Sequence, residues 1–279
     1  MKAKLYNLIT YFWYKILKHP IKMKYTFDSR NKDAKFTVIF LHGIAATSST
    51  WHPTIGIFEK DTGLKNFRFI SLDLLGFGKS LRADWLNYDY EEYNRALLKT
   101  IKHLHIKNPI ILVGHSMGSL IAANFATEYP EKISRLILIS PPVLKPEEVS
   151  KLPDKFYQKS YSTLPKIADD PIIKTLATFV QKVSSFRAEY LNTVAFERSM
   201  KNIVLNRKNY QLFNKLTIPT TIIHGRFDPL VLQSNLAEIA KTNSDFVKLE
   251  QVTAHHDISP SKRDKIKIAL KGFLEHETI

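Results

Sequence analysis

The chain has 279 residues, of which 44% are hydrophobic and 24% charged, ordinary values for a globular protein long enough to bury a core. It contains no cysteine, which excludes disulfides, thiolate metal sites and thiol nucleophiles and fits a reducing, cytoplasmic setting. The formal net charge is +15, yet no zinc-finger, basic-zipper or RNA-binding-sheet pattern accompanies it, so nucleic acid is not expected as a partner.

Residues 1–24 read as an amphipathic N-terminal helix. Leu5, Leu8, Ile9, Phe12, Trp13, Ile16 and Leu17 recur at three- and four-residue steps, and Pro20 limits the helix on its far side. Lys4, Asn7, Tyr11, Tyr14, Lys15 and Lys18 fall largely on the opposite side. The apolar run Leu8 to Tyr14 is too short to cross a bilayer, and no small-residue cleavage site follows it. Two readings compete. Packing of the apolar stripe on the domain body or on a second copy is the expected one, because amphipathicity is the normal mark of a packed helix. Peripheral contact with an anionic membrane is the other, kept open by the lysines and aromatic residues.

Beyond this segment, short apolar runs alternate with longer helical patterns. Phe36 to Leu41, Phe67 to Leu72, Ile110 to Val113, Leu136 to Ile139, Thr220 to Ile223 and Phe246 to Leu249 read as strands. Tyr90 to His105, Met117 to Tyr129 and Pro260 to Leu274 have helical spacing. This order predicts an α/β fold with a mostly parallel, doubly wound sheet. Residues 143–214 break the alternation with Pro146, Pro153, Pro165 and Pro171, and with helical stretches at Ile172 to Val183 and Glu189 to Ile203. They read as a helical cap inserted after the strand at 136–139, into a core formed by 25–142 and 215–279. Such an insertion would lie over the carboxyl edge of the sheet, where open α/β sheets bind ligands.

Gly114-His115-Ser116-Met117-Gly118 is a G-x-S-x-G sequence between a strand and a helix. A sharp turn there holds a serine in a strained conformation with its hydroxyl clear, and the flanking glycines let neighbouring backbone approach. A serine hydroxyl needs a base, and the base needs an orienting acid; with such an elbow they follow in the order acid, then histidine. Asp228 lies in the loop after strand 220–223, and His255 and His256 lie in the loop after the last strand. The N–H of Met117, directly after the serine, is one candidate donor to an oxyanion.

The sequence resembles the α/β-hydrolase family over residues 36–276, and within it the capped esterase and carbon–carbon hydrolase branch. The likeness rests on Leu41-His42-Gly43, on Asp73-Leu74-Leu75-Gly76-Phe77-Gly78-Lys79-Ser80, on the elbow and on the two later loops. It implies His256 as the base, with His255, standing where glycine is usual, as the alternative. It also implies the N–H of Ile44 as the second oxyanion donor. In proteins of this kind the residue at Asp73 braces the Gly76–Gly78 turn, and here Leu75 stands in place of the usual proline.

The resulting expectation is a serine hydrolase, a carboxylesterase, that cleaves a small-molecule ester with an apolar small or medium acyl group, using Ser116, His256 and Asp228 without cofactor or metal. The same residues could serve carbon–carbon, lactone or amide cleavage, or acyl transfer. From another class comes a non-catalytic, membrane-associated ligand binder on the same fold. His103 and His105 lack metal-ligand spacing with any acid, and Gly76-Phe77-Gly78 lacks the rest of a nucleotide motif. Trp51, Phe156, Tyr157, Phe179, Phe186 and Phe196 are candidates for an acyl pocket, against the plainer reading of each as core.

Overall fold

The central apolar runs form strands buried on both faces. In a computed structural model of the protein, which describes residues 8–17, 19–150 and 193–276, they belong to one seven-stranded sheet. Its strands are β1 (Lys24–Asp28), β2 (Phe36–Leu41), β3 (Phe67–Asp73), β4 (Ile110–His115), β5 (Ile133–Ile139), β6 (Thr220–Gly225) and β7 (Val247–Val252), in the spatial order β1-β3-β2-β4-β5-β6-β7. Only β1 runs antiparallel to its neighbour.

The pleat sends alternate residues to opposite faces. Val38, Phe40, Ile111, Val113, Ile137 and Ile139 face a cluster with Ile55 and Phe58 of α2 (His52–Phe58) and Ile266 and Leu270 of α9 (Pro260–His276). Ile39, Leu41, Leu112, Leu136, Leu138 and Ile222 face the second cluster, with Leu97 and Ile101 of α3 (Tyr90–His103) and Leu120, Ile121 and Phe125 of α4 (Met117–Glu128). Each such aliphatic side chain contributes roughly 1.5–3 kcal/mol on burial. Two-sided covering of this kind is what a parallel sheet requires.

From β2 the chain moves outward to β3, then crosses back to β4 on the other side of β2. The sheet therefore changes winding direction between β2 and β4, the switch point outside whose carboxyl ends open α/β sheets bind ligands. Between β5 and β6 the described residues include α5 (Pro146–Ser150), α6 (Thr193–Ser199) and α7 (Asn209–Asn214); most of the expected cap lies outside the described residues. α8 (Gln233–Thr242) connects β6 to β7.

Three features differ from the sequence reading. Edge strand β1 has no apolar run to announce it, since Lys24–Asp28 is only partly buried. The last strand starts one residue later than expected and extends to Val252, through an alternating and mostly polar stretch that an edge strand tolerates. The N-terminal helix α1, described over residues 8–16, does not pack its apolar stripe on the domain body: the stripe faces outward and Tyr14 faces in. Tyr14 packs on the Trp85 ring, centroids 5.4 Å apart, with the Arg95 guanidinium 4.9 Å from its ring, and Lys15 lies 3.5 Å from Glu92. Contacts to the charged first turns of α3 thus favour the polar side of α1.

Candidate active site

Strand β4 ends at His115 and α4 begins at Met117, leaving one residue to make the turn. That residue, Ser116, has φ 53° and ψ −120°, a conformation costly for a residue with a Cβ. Local bonds hold it there. The Ser116 N–H donates to the Ile139 carbonyl at 2.9 Å, the Ser119 N–H to the Ser116 carbonyl at 2.9 Å, and the Ser119 hydroxyl to the Gly114 carbonyl at 2.8 Å. Gly118 is required by contact: a Cβ there would lie 2.4 Å from the Leu41 carbonyl oxygen. A Cβ on Gly43 would come to 3.2 Å from the Ser116 Cβ, which places the β2 end against the serine.

The two histidines after β7 separate cleanly. His256 Nδ1 donates to Asp228, 2.9 Å from each carboxylate oxygen. His255 is exposed, its ring stacks near Phe227, and its Nδ1 lies 3.1 Å from the Phe227 carbonyl. The Asp228 side chain is fully buried. Burial pushes its carboxyl up, but the His256 bond and charge, together with the Ser140 hydroxyl and the Leu230 N–H, outweigh this and hold it below the usual carboxylate range. The carboxylate therefore stays charged beside the imidazole at neutral pH.

Groups that the sequence reading missed hold this histidine in place. His115, the residue before the serine, donates from Nε2 to the His256 carbonyl at 2.8 Å, and the two rings are 5.0 Å apart. Lys262, in the first turn of α9, is fully buried. Its ammonium donates to the carbonyls of His255 and Asp257 and, at 2.8 Å, to the Ser140 hydroxyl. The carbonyls of three successive residues, 255, 256 and 257, are thus all engaged. Burial lowers the Lys262 pKa while Asp228 and Asp257 oppose that shift. One signal was present in the sequence: Lys262 lies four residues from both Ile258 and Ile266, on the buried stripe of the terminal segment.

On the β2 side, His42 is buried and bonded at both nitrogens. Nδ1 lies 2.7 Å from the Gly43 carbonyl and Nε2 accepts from the Leu74 N–H at 3.0 Å. An acceptor on one side and a donor on the other suit a neutral ring, and burial pushes its pKa down to about 4. Because the peptide is planar and trans, fixing the Gly43 carbonyl turns the Ile44 N–H the opposite way. Ile44 and Met117 are both buried and flank Ser116, one from the β2 loop and one at the start of α4.

The remaining candidates are structural. Asp73 accepts from the Ser48 N–H and hydroxyl at 2.8 and 2.6 Å and from the Lys79 N–H at 2.8 Å, bracing the loop of Gly76 and Gly78. Trp51 is buried against Phe40, ring centroids 4.9 Å apart, and Phe196 is buried in the second cluster, so both pack in the core. Phe156, Tyr157, Phe179 and Phe186 lie outside the described residues. His103 pairs with Lys22 at 2.9 Å on the exposed side of α3.

A sequence profile described as "alpha/beta hydrolase fold" matches residues 37–186, more than half of the chain. The chain belongs to the α/β-hydrolase fold family. Among its relatives, this α/β hydrolase is 32% identical over 115 residues to a protein of Arabidopsis thaliana named "Probable lysophospholipase BODYGUARD 2", over 41% of this chain and 24% of that protein. It is 30% identical over 116 residues to a 1-acylglycerol-3-phosphate O-acyltransferase of Rattus norvegicus, over 40% of this chain and 31% of that protein. The chain thus spans less than a third of the length of either relative. Among solved structures, an esterase from Exiguobacterium antarcticum superposes with a TM-score of 0.65 at 20% identity, over 92% of this chain and 100% of that one. A bromoperoxidase from Bacillus anthracis does so with a TM-score of 0.64 at 19% identity, over 93% and 98%. At these identities the two structures speak for the fold alone.

Proposed function

We propose that the protein is a serine hydrolase that cleaves carboxylic esters with an apolar small or medium acyl group. His256 takes the proton from the Ser116 hydroxyl as the oxygen attacks the ester carbonyl. Asp228 holds the Nδ1–H tautomer and stabilises the imidazolium without itself becoming protonated. The N–H groups of Ile44 and Met117 receive the oxyanion of the tetrahedral intermediate. His256 returns its proton to the departing alcohol, an acyl-serine remains, and water attacking with His256 again as base releases the acid.

The observation that carries this reading is the strained backbone of Ser116, directly after His115, whose ring lies 5.0 Å from an imidazole bonded to a buried carboxylate. Strain of this kind at a residue with a Cβ is retained where a position demands it, and an active-site turn is one such position. A fluorophosphonate probe should label the wild type and leave Ser116→Ala unlabelled, with both proteins unfolding at the same temperature. Equal labelling of the two would refute the assignment.

A second reading shares every step up to the acyl-serine. The lysophospholipase name favours a lysophospholipid as acyl donor, and the acyltransferase name brings transfer to the hydroxyl of an acylglycerol phosphate into view. Adding a soluble alcohol acceptor during ester turnover separates the two, since transfer yields a new ester in place of free acid.

A further inference from the structure

Helix α1 turns its apolar side away from the protein. Leu8, Ile9, Phe12, Trp13, Ile16 and Leu17 are each between 45 and 64% exposed, whereas Tyr14 on the other side is 4% exposed. This outward pose is anchored by Tyr14 on Trp85 and by Lys15 near Glu92. Six large apolar side chains on one continuous strip exceed the scattered surface hydrophobics of an ordinary protein and mark a binding surface.

Charge selects among the occupants. The first 27 residues hold six lysines and neither aspartate nor glutamate. A second copy would bring the same positive charge to the same strip, which opposes self-association. An anionic bilayer offers the complement, with hydrocarbon for Phe12, Trp13 and Ile16 and headgroup phosphates for lysines of this segment other than Lys15, which Glu92 engages. Among the described residues no helix is long and apolar enough to cross a membrane, so contact through this helix would lie in the interface.

Topology then relates the strip to the site. Lys24, the first residue of β1, pairs with Asp73, the last residue of β3, and the Lys24 N–H donates to the Ser80 hydroxyl at 2.8 Å. Chain ahead of residue 24 therefore arrives at the carboxyl edge of the sheet. That is the edge where Ser116, Asp228 and His256 lie.

We propose that α1 lies in the interface of an anionic bilayer and holds the carboxyl edge of the sheet at the membrane surface. On the hydrolase reading above, on which this last step rests, the site would take acyl esters presented by the bilayer in preference to esters dissolved in water.

The test uses the full chain and phosphatidylcholine vesicles with or without phosphatidylserine. Wild type should float with the phosphatidylserine vesicles and be released by high salt. The triple variant Phe12→Ser, Trp13→Ser, Ile16→Ser should bind about tenfold more weakly or less, with unchanged thermal unfolding and an unchanged rate on a water-soluble short ester, but a reduced rate on a vesicle-borne ester. Wild type that stays unbound, or a triple variant that floats equally well, overturns the proposal. So does concentration-dependent dimerisation, without flotation, that the triple variant loses. Ser116→Ala should float like wild type; flotation without hydrolysis of any ester would leave the docking intact and remove the hydrolase reading.

Discussion

On the β4 side of the site, five consecutive residues and the backbone around them hold Ser116. On the β6–β7 side, the histidine is held by side chains from distant parts of the chain: Asp228 is 28 residues from His256, and Lys262 is 122 residues from its partner Ser140. The elbow is therefore a backbone object, built from close approaches that only glycine allows and from bonds to carbonyls. The imidazole is a side-chain object, dependent on a carboxylate, a hydroxyl, an ammonium and the His115 ring. Each half should fail in its own way. Adding atoms breaks the elbow and the fold with it, while removing atoms on the other side should slow the chemistry even where the protein still folds.

Gly118→Ala is the harshest test of this contrast. Its Cβ would fall 2.4 Å from the Leu41 carbonyl oxygen, inside a parallel sheet that does not yield readily. The expected loss is about 3 kcal/mol or more, read as a drop in the urea midpoint or as insoluble protein. A variant as stable as wild type would show that the elbow has slack.

Lys262→Met is the matching test of the other half. The side chain is buried and apolar replacement fits its stem, but the carbonyls of His255 and Asp257 and the Ser140 hydroxyl lose a charged donor. Hydrogen bonds to charged groups contribute roughly 1.5–3 kcal/mol each to what they hold. With the His256 loop loosened, kcat on a soluble ester should fall about tenfold or more while KM changes little. Equal losses in both parameters, or none, would show that the ammonium does not position the imidazole.

Acid should act on the β2–β4 side before it reaches the carboxylate. Burial holds His115 neutral, with its pKa pushed down to about 3, and His42 is held near 4, whereas in the unfolded chain both take a proton near 6.5. Below 6.5 the unfolded state therefore binds more protons, so stability rises with pH in this window and is lost as pH falls. Each pH unit costs about 1.4 kcal/mol for each such group. Asp228 adds to the loss only further down: its depressed folded pKa supplies stability above the ordinary carboxylate value, and that is lost as pH falls through the folded value. Urea midpoints that decline steadily between pH 6 and pH 4 would bear this out. A flat series would show that the buried imidazoles are protonated without unfolding.

Legibility in the sequence follows the same division. Ser116 could be read because its geometry needs a contiguous pattern of glycines between an apolar run and a helical one, and because Asp228 and the histidines follow at strand ends. Lys262 and His115 could not, because what they do depends on which carbonyls come near them in space. Helix α1 shows a related limit. Periodicity identified the residues that share its apolar side, but the direction that side faces is set by contacts with Trp85, Glu92 and Arg95, some 70 to 80 residues away. Strand β1 was invisible for a plainer reason: five partly exposed residues of mixed character carry no pattern, and only their register on β3 makes them a strand.

The smallest expected effect sharpens the choice between the paired histidines. His255 stands one residue from the proposed base, and in sequence either ring could have met Asp228. In the structure its side chain is exposed against Phe227 and its ring contact is to a backbone carbonyl, while its own carbonyl serves Lys262 whatever the side chain is. His255→Asn should therefore change activity by less than about twofold and stability by less than about 0.5 kcal/mol, as for a surface substitution. His256→Asn, which removes the ring on Asp228, should abolish turnover in the same assay. If His255→Asn were the inactive variant of the pair, the base would have been misassigned, and the bond between His256 and Asp228 would be a structural brace.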